Sequence, residues 1–383
     1  MRDLRVGVIG FGWMGRLHAR SWARLPMHFP DLAVRPQLVA VADSSASDEL
    51  ARSVAAHGFA ELHQDWHDLV DRADLDVISV CGPNHLHREM GVAVAKSGRH
   101  LWIEKPVGRD VEDTTVVVEA VDSAGVMSAA GFNYRNAPAV ALARQLVQDG
   151  SLGRLQTVEV RFFADYAAHP EGALSWRFVN ETAGSGVLGD LVSHAADLAR
   201  FVAGELTELI ADEARFITQR PHAAAGGSHF AHGVPGSLGD VENEDYAGAL
   251  LRFASGARGT LTASRVAVGE QCDYELSIHG DRGAVAWDFR RMGELRTCLG
   301  QNYQDASYST VLVNQDHGEL AAFQPAGGIA MSYDDLKVIE AAQLARSIVS
   351  GQQSGATVHD ALRAARIIEA MERSIQERRW VSL

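Results

Sequence analysis

The segment 190–197 reads DLVSHAAD and sets a carboxylate, a histidine and a second carboxylate at Asp190, His194 and Asp197. Offsets of four and seven put all three on one face of a helix. Such a face suits a partial metal site, an acid/base pair or a buried polar network. A metal is disfavoured. One histidine and two carboxylates are an incomplete ligand set, and no second histidine pair at ligand spacing lies nearby in the sequence. Histidine can take a proton near neutral pH without large perturbation, and Asp190 can orient it. Asp197 reads as a supporting or structural member.

Three other groups stand at places where chemistry is done. Gly10, Phe11, Gly12, Trp13, Met14 and Gly15 form a GxGxxG between an apolar run, LRVGVIG, and a helical pattern. The first glycine allows a tight turn, the second lets backbone approach a pyrophosphate, and the third lets helix and strand pack closely. Asp43, at the end of the next apolar run, is placed to bind ribose hydroxyls and to repel a 2′-phosphate. Ser44 follows it, with no arginine to hold such a phosphate, so NAD is favoured over NADP. The gap from Gly15 to Asp43 is longer than usual and is assigned to an insertion containing Pro26, Pro30 and Pro36. CGPNHLHREM, with Pro83, Asn84, His85 and His87, lies where a fourth strand ends, and IEKP, with Glu104 and Lys105, where a fifth ends. Ligands of open parallel sheets bind outside the carboxyl ends of strands. Lys105 is thereby placed at the nicotinamide end, and His87 reads as an anchor of the neighbouring loop.

The elements that position these groups change character along the chain. The first third alternates continuous apolar strands with helical patterns, which argues for a parallel sheet covered on both faces. After GFNYRNAPAVALARQLVQDG the chain becomes rich in strands joined by glycine turns, which predicts an open, largely antiparallel sheet. Helical patterns return from about Tyr333 to Arg378. The expected organisation is a Rossmann NAD-binding domain, 1–133, and an α+β substrate-binding and oligomerisation domain, 134–383. The exposed face and edges of an open sheet predict a homodimer or homotetramer. The Gly/His/Pro-rich stretch within 221–240 reads as a loop or flap.

Composition narrows the function class. With 35 Lys and Arg against 49 Asp and Glu, the formal net charge is −14, a field that repels nucleic acid. Three distant cysteines without CxxC spacing suit a reducing compartment. No signal-like segment or membrane-length apolar run is present, and the expected location is the cytoplasm.

In order, GFGWMG, PNHLH, EKP and GSGVLGDLVSHAADLARFVAGE resemble the Gfo/Idh/MocA oxidoreductases along essentially the whole chain. FNYRNAPAVALA, ALSWRF and AGSGVLGD look most like the levoglucosan dehydrogenases and the inositol or L-glucose dehydrogenases of that family. The resemblance implies hydride transfer from a secondary carbinol of a cyclic polyol or sugar to NAD, without metal. It implies that His194 takes the hydroxyl proton, that Lys105 contacts that hydroxyl and that Asp190 supports the site. The chemistry agrees, since an ammonium near the hydroxyl favours the developing alkoxide. Tyr134, Arg135, Trp176 and Arg177 are candidates for sugar recognition, offering donors and an apolar ring face. The chain departs from the levoglucosan pattern at Tyr166, where tryptophan is usual, and at His169, where aspartate is. Two other classes occur among relatives, transient-oxidation glycoside cleavage and non-catalytic sensing. Retention of Lys105, Asp190 and His194 together argues against a sensor.

Overall fold

Gly10 closes the first strand with φ +83°, and a Cβ there would stand 2.7 Å from the carbonyl oxygen of Cys81. Only glycine fits, because this turn passes directly over the end of another strand. Around that turn, the computed structural model describes residues 2–45, 47–223, 232–234, 236–300 and 303–383. The chain forms two compact units, Met1–Asn136 with Ser332–Leu362 and Ala137–Met331 with Arg363–Leu383.

The first unit runs β1 (Arg2–Ile9), α1 (Trp13–His28), β2 (Val34–Ala42), α2 (Asp48–Ala56), β3 (Glu61–His63), α3 (His67–Val70), β4 (Val77–Val80), α4 (Asn84–Lys96), β5 (His100–Ile103), α5 (Val111–Ala124) and β6 (Ser128–Ala130). All six strands are parallel, in the order β3-β2-β1-β4-β5-β6. This is the doubly wound order, with its reversal between β1 and β4. The expected proline insertion is much shorter than the sequence suggests. Pro26 lies inside α1 and Pro36 inside β2, leaving only Phe29–Ala33 between them. Pro26 is tolerated in the last turn of its helix. Pro36 sits where β2 is flanked by β1 alone, since β3 pairs only with Ala40–Ala42, so a missing amide donor costs little there.

The second unit begins with α6 (Pro138–Gln148), β7 (Leu155–Phe163), the single turn α7 (Asn180–Ala183) and α8 (Ser193–Ala203). It continues with β8 (Leu206–Ala214), β9 (Gln219–Pro221), β10 (Leu238–Asp240), β11 (Tyr246–Phe253), β12 (Arg258–Ser264), β13 (Asp273–Gly280), β14 (Gly283–Asp288), β15 (Glu294–Leu299) and β16 (Ser309–Leu312). Burial alternates along β7 and β11, the period-two signature of a sheet packed on one face. Helices α6 and α8 cover that face. With β17 (Val381–Ser382) the large sheet has nine strands in the order β16-β15-β14-β13-β7-β12-β11-β8-β17. Every neighbouring pair is antiparallel except β12 with β7. The expected fold class, a Rossmann domain followed by an open, largely antiparallel α+β domain, is what the chain adopts. Strands β9 and β10 form a separate ribbon. Closure of the 221–240 loop over substrate depends on residues 224–231 and 235, which lie outside the described residues.

Two long helices near the chain's end, α9 (Tyr333–Ser350) and α10 (Val358–Glu377), follow. Ser332 and Asp335 form a capping box at the start of α9, and Gly351, in the left-handed region, closes it. The sequence partition placed α9 in the second domain, whereas α9 packs on α1, β6 and the turn Asn133–Asn136 of the first unit. The division between the units falls inside α10, after Leu362. Among the described residues no helix is long and apolar enough to cross a membrane.

Candidate active site

The dinucleotide features converge at the sheet's switch point. A Cβ on Gly15 would lie 1.9 Å from the Gly10 carbonyl oxygen, so helix α1 can approach the turn only with glycine there. A Cβ on Gly12 would meet nothing within 4 Å, leaving room for a ligand over the start of α1. Gly12 caps that helix without a side-chain acceptor, which leaves first-turn amides directed at an anion. The Phe11 side chain is buried edge-on against His57 and Phe59, and its backbone N–H donates to Asp43 Oδ2 at 2.7 Å. Ser45 N–H donates to Asp43 Oδ1 at 2.9 Å. These two bonds fix the carboxylate at the end of β2, beside exposed Ser44. The cradle fits a dinucleotide. Gly10 and Gly12 would accommodate the pyrophosphate and Asp43 the ribose.

At the ends of β4 and β5 the predicted residues divide into loop anchors and interior groups. Pro83 caps α4 and Asn84 begins it. His87 is buried, with Nδ1 2.7 Å from the Pro106 carbonyl oxygen and Nε2 2.8 Å from that of Gly82, so it ties the two strand-end loops together. Burial lowers its proton affinity against the pull of both carbonyls. Glu104, grouped by sequence with the cofactor residues, turns its carboxylate into the interior of the unit. It accepts from His18 Nε2 at 2.9 Å and from the Lys337 ammonium through Oε1, and from the Lys105 backbone N–H at 3.3 Å through Oε2.

Lys337 also donates to Glu340 Oε1 at 3.1 Å, and the Trp102 indole N–H donates to the same oxygen at 2.5 Å. The His18 ring stacks on Trp102 with centroids 3.6 Å apart. Burial works to raise Glu104, but Lys337 and His18 overcome it and hold the carboxyl below its usual range. Burial lifts Glu340 to about 7 and drops His18 to about 4. Linkage gives opposite signs. Glu340, raised above 4.5, contributes stability that is present below pH 4.5 and lost as pH rises through about 7. His18, lowered from 6.5, contributes stability present above pH 6.5 and lost as pH falls through about 4. The Glu340→Gln variant should therefore lose less melting temperature than the parent between pH 4.5 and 7. Parallel thermal melts across that range check this; identical slopes would contradict it.

In the second unit the DLVSHAAD face has an unexpected geometry. Leu188–Val192 is a π turn and α8 starts only at Ser193, whose N–H donates to the Leu188 carbonyl five residues back. Asp190 therefore lies within a wide turn and His194 just after it, and the simple α-helical offset of four does not describe them. Glu244 holds the entry to this turn, its Oε1 accepting from Gly186 N–H and Leu188 N–H, each at 2.8 Å. Burial pushes this carboxyl up against those amides. A Cβ on Gly186 would stand 2.3 Å from the Glu244 carbonyl oxygen, which explains the glycine in AGSGVLGD.

His194 is buried, with its carbonyl oxygen held by the Tyr274 hydroxyl at 2.8 Å and its ring tilted toward Phe162. Tyr166 donates its hydroxyl to Asp190 Oδ2 at 2.6 Å. Burial, then the Asp190 charge, pushes this phenol well above its ordinary value, so it remains a donor. Arg177 and Arg265 lie within electrostatic reach of the same phenol. Arg177 stacks over the Trp176 ring at 4.5 Å within the 3-10 turn Trp176–Phe178. Asp197 is buried on α8. Tyr166→Phe should reduce kcat/KM about tenfold, roughly the 1.5 kcal/mol of a hydrogen bond to a charged group, with a fall of only a few degrees in melting temperature. An unchanged kcat/KM would show that Asp190 does not depend on this bond.

The remaining recognition candidates lie in the first unit. Arg135 is buried and paired to Asp360 at 3.3 Å, and Tyr134 packs edge-on against Tyr333. Exposed Trp13 stacks on the same Tyr333, and half-buried Met14 follows it in α1. Sequence reasoning overlooked Glu244, Tyr274, His18, Lys337 and Glu340, and took Tyr166 only as a departure. The spacing of Lys337 and Glu340 inside the apolar run LKVIEAA was the available signal for two of them.

Known proteins bear on this arrangement. Residues 4–132 match an oxidoreductase family with an NAD-binding Rossmann fold, and residues 140–286 match the GFO/IDH/MocA C-terminal domain. The levoglucosan dehydrogenase of Pseudarthrobacter phenanthrenivorans is 33% identical over 100% of this chain and 99% of its own length. The myo-inositol 2-dehydrogenase of Thermotoga maritima is 26% identical over 99% of this chain and 98% of its own. A solved levoglucosan dehydrogenase in complex with NADH and levoglucosan superimposes with TM-score 0.92 at 31% identity, covering 100% of this chain and 99% of the other.

Proposed function

Because the chain belongs to the GFO/IDH/MocA oxidoreductase family, we propose that it is an NAD-dependent dehydrogenase. It oxidises a secondary hydroxyl of a cyclic polyol or sugar, whether inositol, monosaccharide or anhydrosugar, to a ketone. The observation that carries this reading is the end-to-end similarity to levoglucosan dehydrogenase, joined to the presence of Lys105, Asp190 and His194. When bound, NAD supplies the hydride acceptor. Gly10, Gly12 and Asp43 would hold it, and the loops with Pro83, Asn84 and His87 would border its nicotinamide end. His194 accepts the hydroxyl proton, and Lys105 stabilises negative charge developing on that oxygen. Asp190, held by Tyr166, orients the reacting group, and Trp176 with Arg177 supplies a ring face and donors for the sugar. We further read the protein as a cytoplasmic homodimer or homotetramer, with Leu250 and Leu312, each 52% exposed, on surface that a second copy covers.

The test is NADH formation by purified protein with levoglucosan, myo- and scyllo-inositol, free aldoses and glycosides. A strong signal with one polyol or sugar class supports the proposal. Silence across the panel, with NAD binding verified by titration, would overturn it and turn attention to glycoside cleavage without net NADH.

A further inference from the structure

Helix α9 brings Lys337 and Glu340 into the interior of the first unit, where Lys337 meets Glu104, the residue before Lys105, and Glu340 meets Trp102 in β5. Glu104 directly follows the last residue of β5 and continues its pairing by donating its N–H to the Val80 carbonyl at 2.9 Å, so it shares a face with Trp102 two residues back. From one side α1 supplies His18 to that face, and from α9 come Lys337 and Glu340. All five groups are at most 6% exposed. His18, Glu104 and Glu340 bring donor atoms within 4.8 Å of one another, the grouping of a small cation site. The Lys337 ammonium takes the cation's part, bonded to both carboxylates.

Stability alone is a poor reason to keep such a cluster. A buried ion pair rarely outperforms well-packed apolar side chains of the same volume, because desolvation offsets most of the attraction. What the cluster does achieve is to immobilise Glu104. Its Oε1 is claimed by His18 and Lys337, while Oε2 accepts the Lys105 backbone N–H. The carboxylate also fills the space beside Gly131, where a Cβ would stand 2.4 Å from Oε2. The carboxylate that holds the Lys105 amide is thus fixed through its other oxygen by His18 and by Lys337, the latter 233 positions away in sequence.

We propose that Lys337 and Glu340 are positioning residues for the reaction: by locking Glu104 they set the backbone from which the Lys105 side chain projects. The proposal rests on the catalytic reading of Lys105. Besides Lys337 and His18, the titratable groups within electrostatic reach of the two carboxylates include Cys81, which approaches from the end of β4. The inference is specific to α9, a segment outside both family matches.

The experiment compares Lys337→Met, Glu104→Gln and the double variant with the parent, using Lys105→Ala as a control. Lys337→Met keeps side-chain length and removes the charge, leaving Glu104 buried without its strongest partner. The double variant removes that unpaired charge and restores folding if the single one is unstable. Each is assayed well below its melting midpoint for kcat, KM for NAD and the pH profile of kcat. The expected result is a tenfold or greater fall in kcat for the double variant, with KM for NAD unchanged and the pH profile displaced. A folded double variant with parental kcat and parental pH profile would overturn the proposal and leave the cluster a packing device. The control separates the two failures. If Lys105→Ala retains full turnover, the catalytic reading of Lys105 falls; if Lys105→Ala is crippled and the double variant is not, only the positioning role falls.

Discussion

Lys105→Ala is expected to lower kcat on the order of 10²–10³-fold, the usual cost of removing one group that stabilises developing charge on oxygen. NAD affinity should stay within about twofold. The reason is the division of labour along the parallel sheet. The dinucleotide would be held by the turn after β1 and by the carboxylate after β2, whereas Lys105 follows β5, two strands beyond the switch point. A truncated lysine also leaves its backbone N–H bonded to Glu104, so the strand end keeps its shape. Steady-state rates together with NAD titration by fluorescence quenching check both halves. Turnover near that of the parent would remove Lys105 from the chemistry.

His194→Ala carries the second large effect, a loss of about 10²–10⁴-fold in kcat, the range for a positioned general base. The change should also remove the acid limb of the pH–rate profile. A base must be deprotonated to accept the hydroxyl proton, so the parent's rate falls as pH falls through the titration of that base; without the imidazole no such fall remains. The substitution suits the local structure. Helix α8 already carries Ala195, Ala196 and Ala199 in buried positions, and Tyr274 holds residue 194 through its backbone oxygen, which alanine keeps. A variant that retains the acid limb would place the base elsewhere, and Asp190 would be the first residue to examine.

Much of the nucleotide-binding half is legible in the sequence because its determinants are local. A strand, a glycine turn and a helix follow each other within 28 residues, and the glycine at position 15 answers to a backbone carbonyl only five residues back, that of Gly10. The run DLVSHAAD is legible as chemistry but not as geometry. Its π turn depends on Glu244 binding Gly186 and Leu188 from 56 residues and more downstream, and no local pattern reports that. The proline-marked insertion misleads for a related reason. A proline can sit in the last turn of a helix or on a half-flanked strand, and only the pairing of β3 shows which applies. The partition into domains fails to show the return of α9 because a helix buried nearly all round reads the same wherever it docks.

The discontinuous first unit has a consequence for biosynthesis. Its β-sheet is complete at Ala130, but α9 starts only at Tyr333. While the ribosome is still making the intervening residues, Glu104 has no ammonium beside it and the Trp102 indole lacks its carboxylate acceptor. Vectorial folding therefore finishes the half that emerges first only after nearly the whole chain has appeared. A stretch ending at Asn136 is a nascent sheet with an unfilled interior charge, and cutting the chain there would not yield a self-sufficient cofactor-binding module.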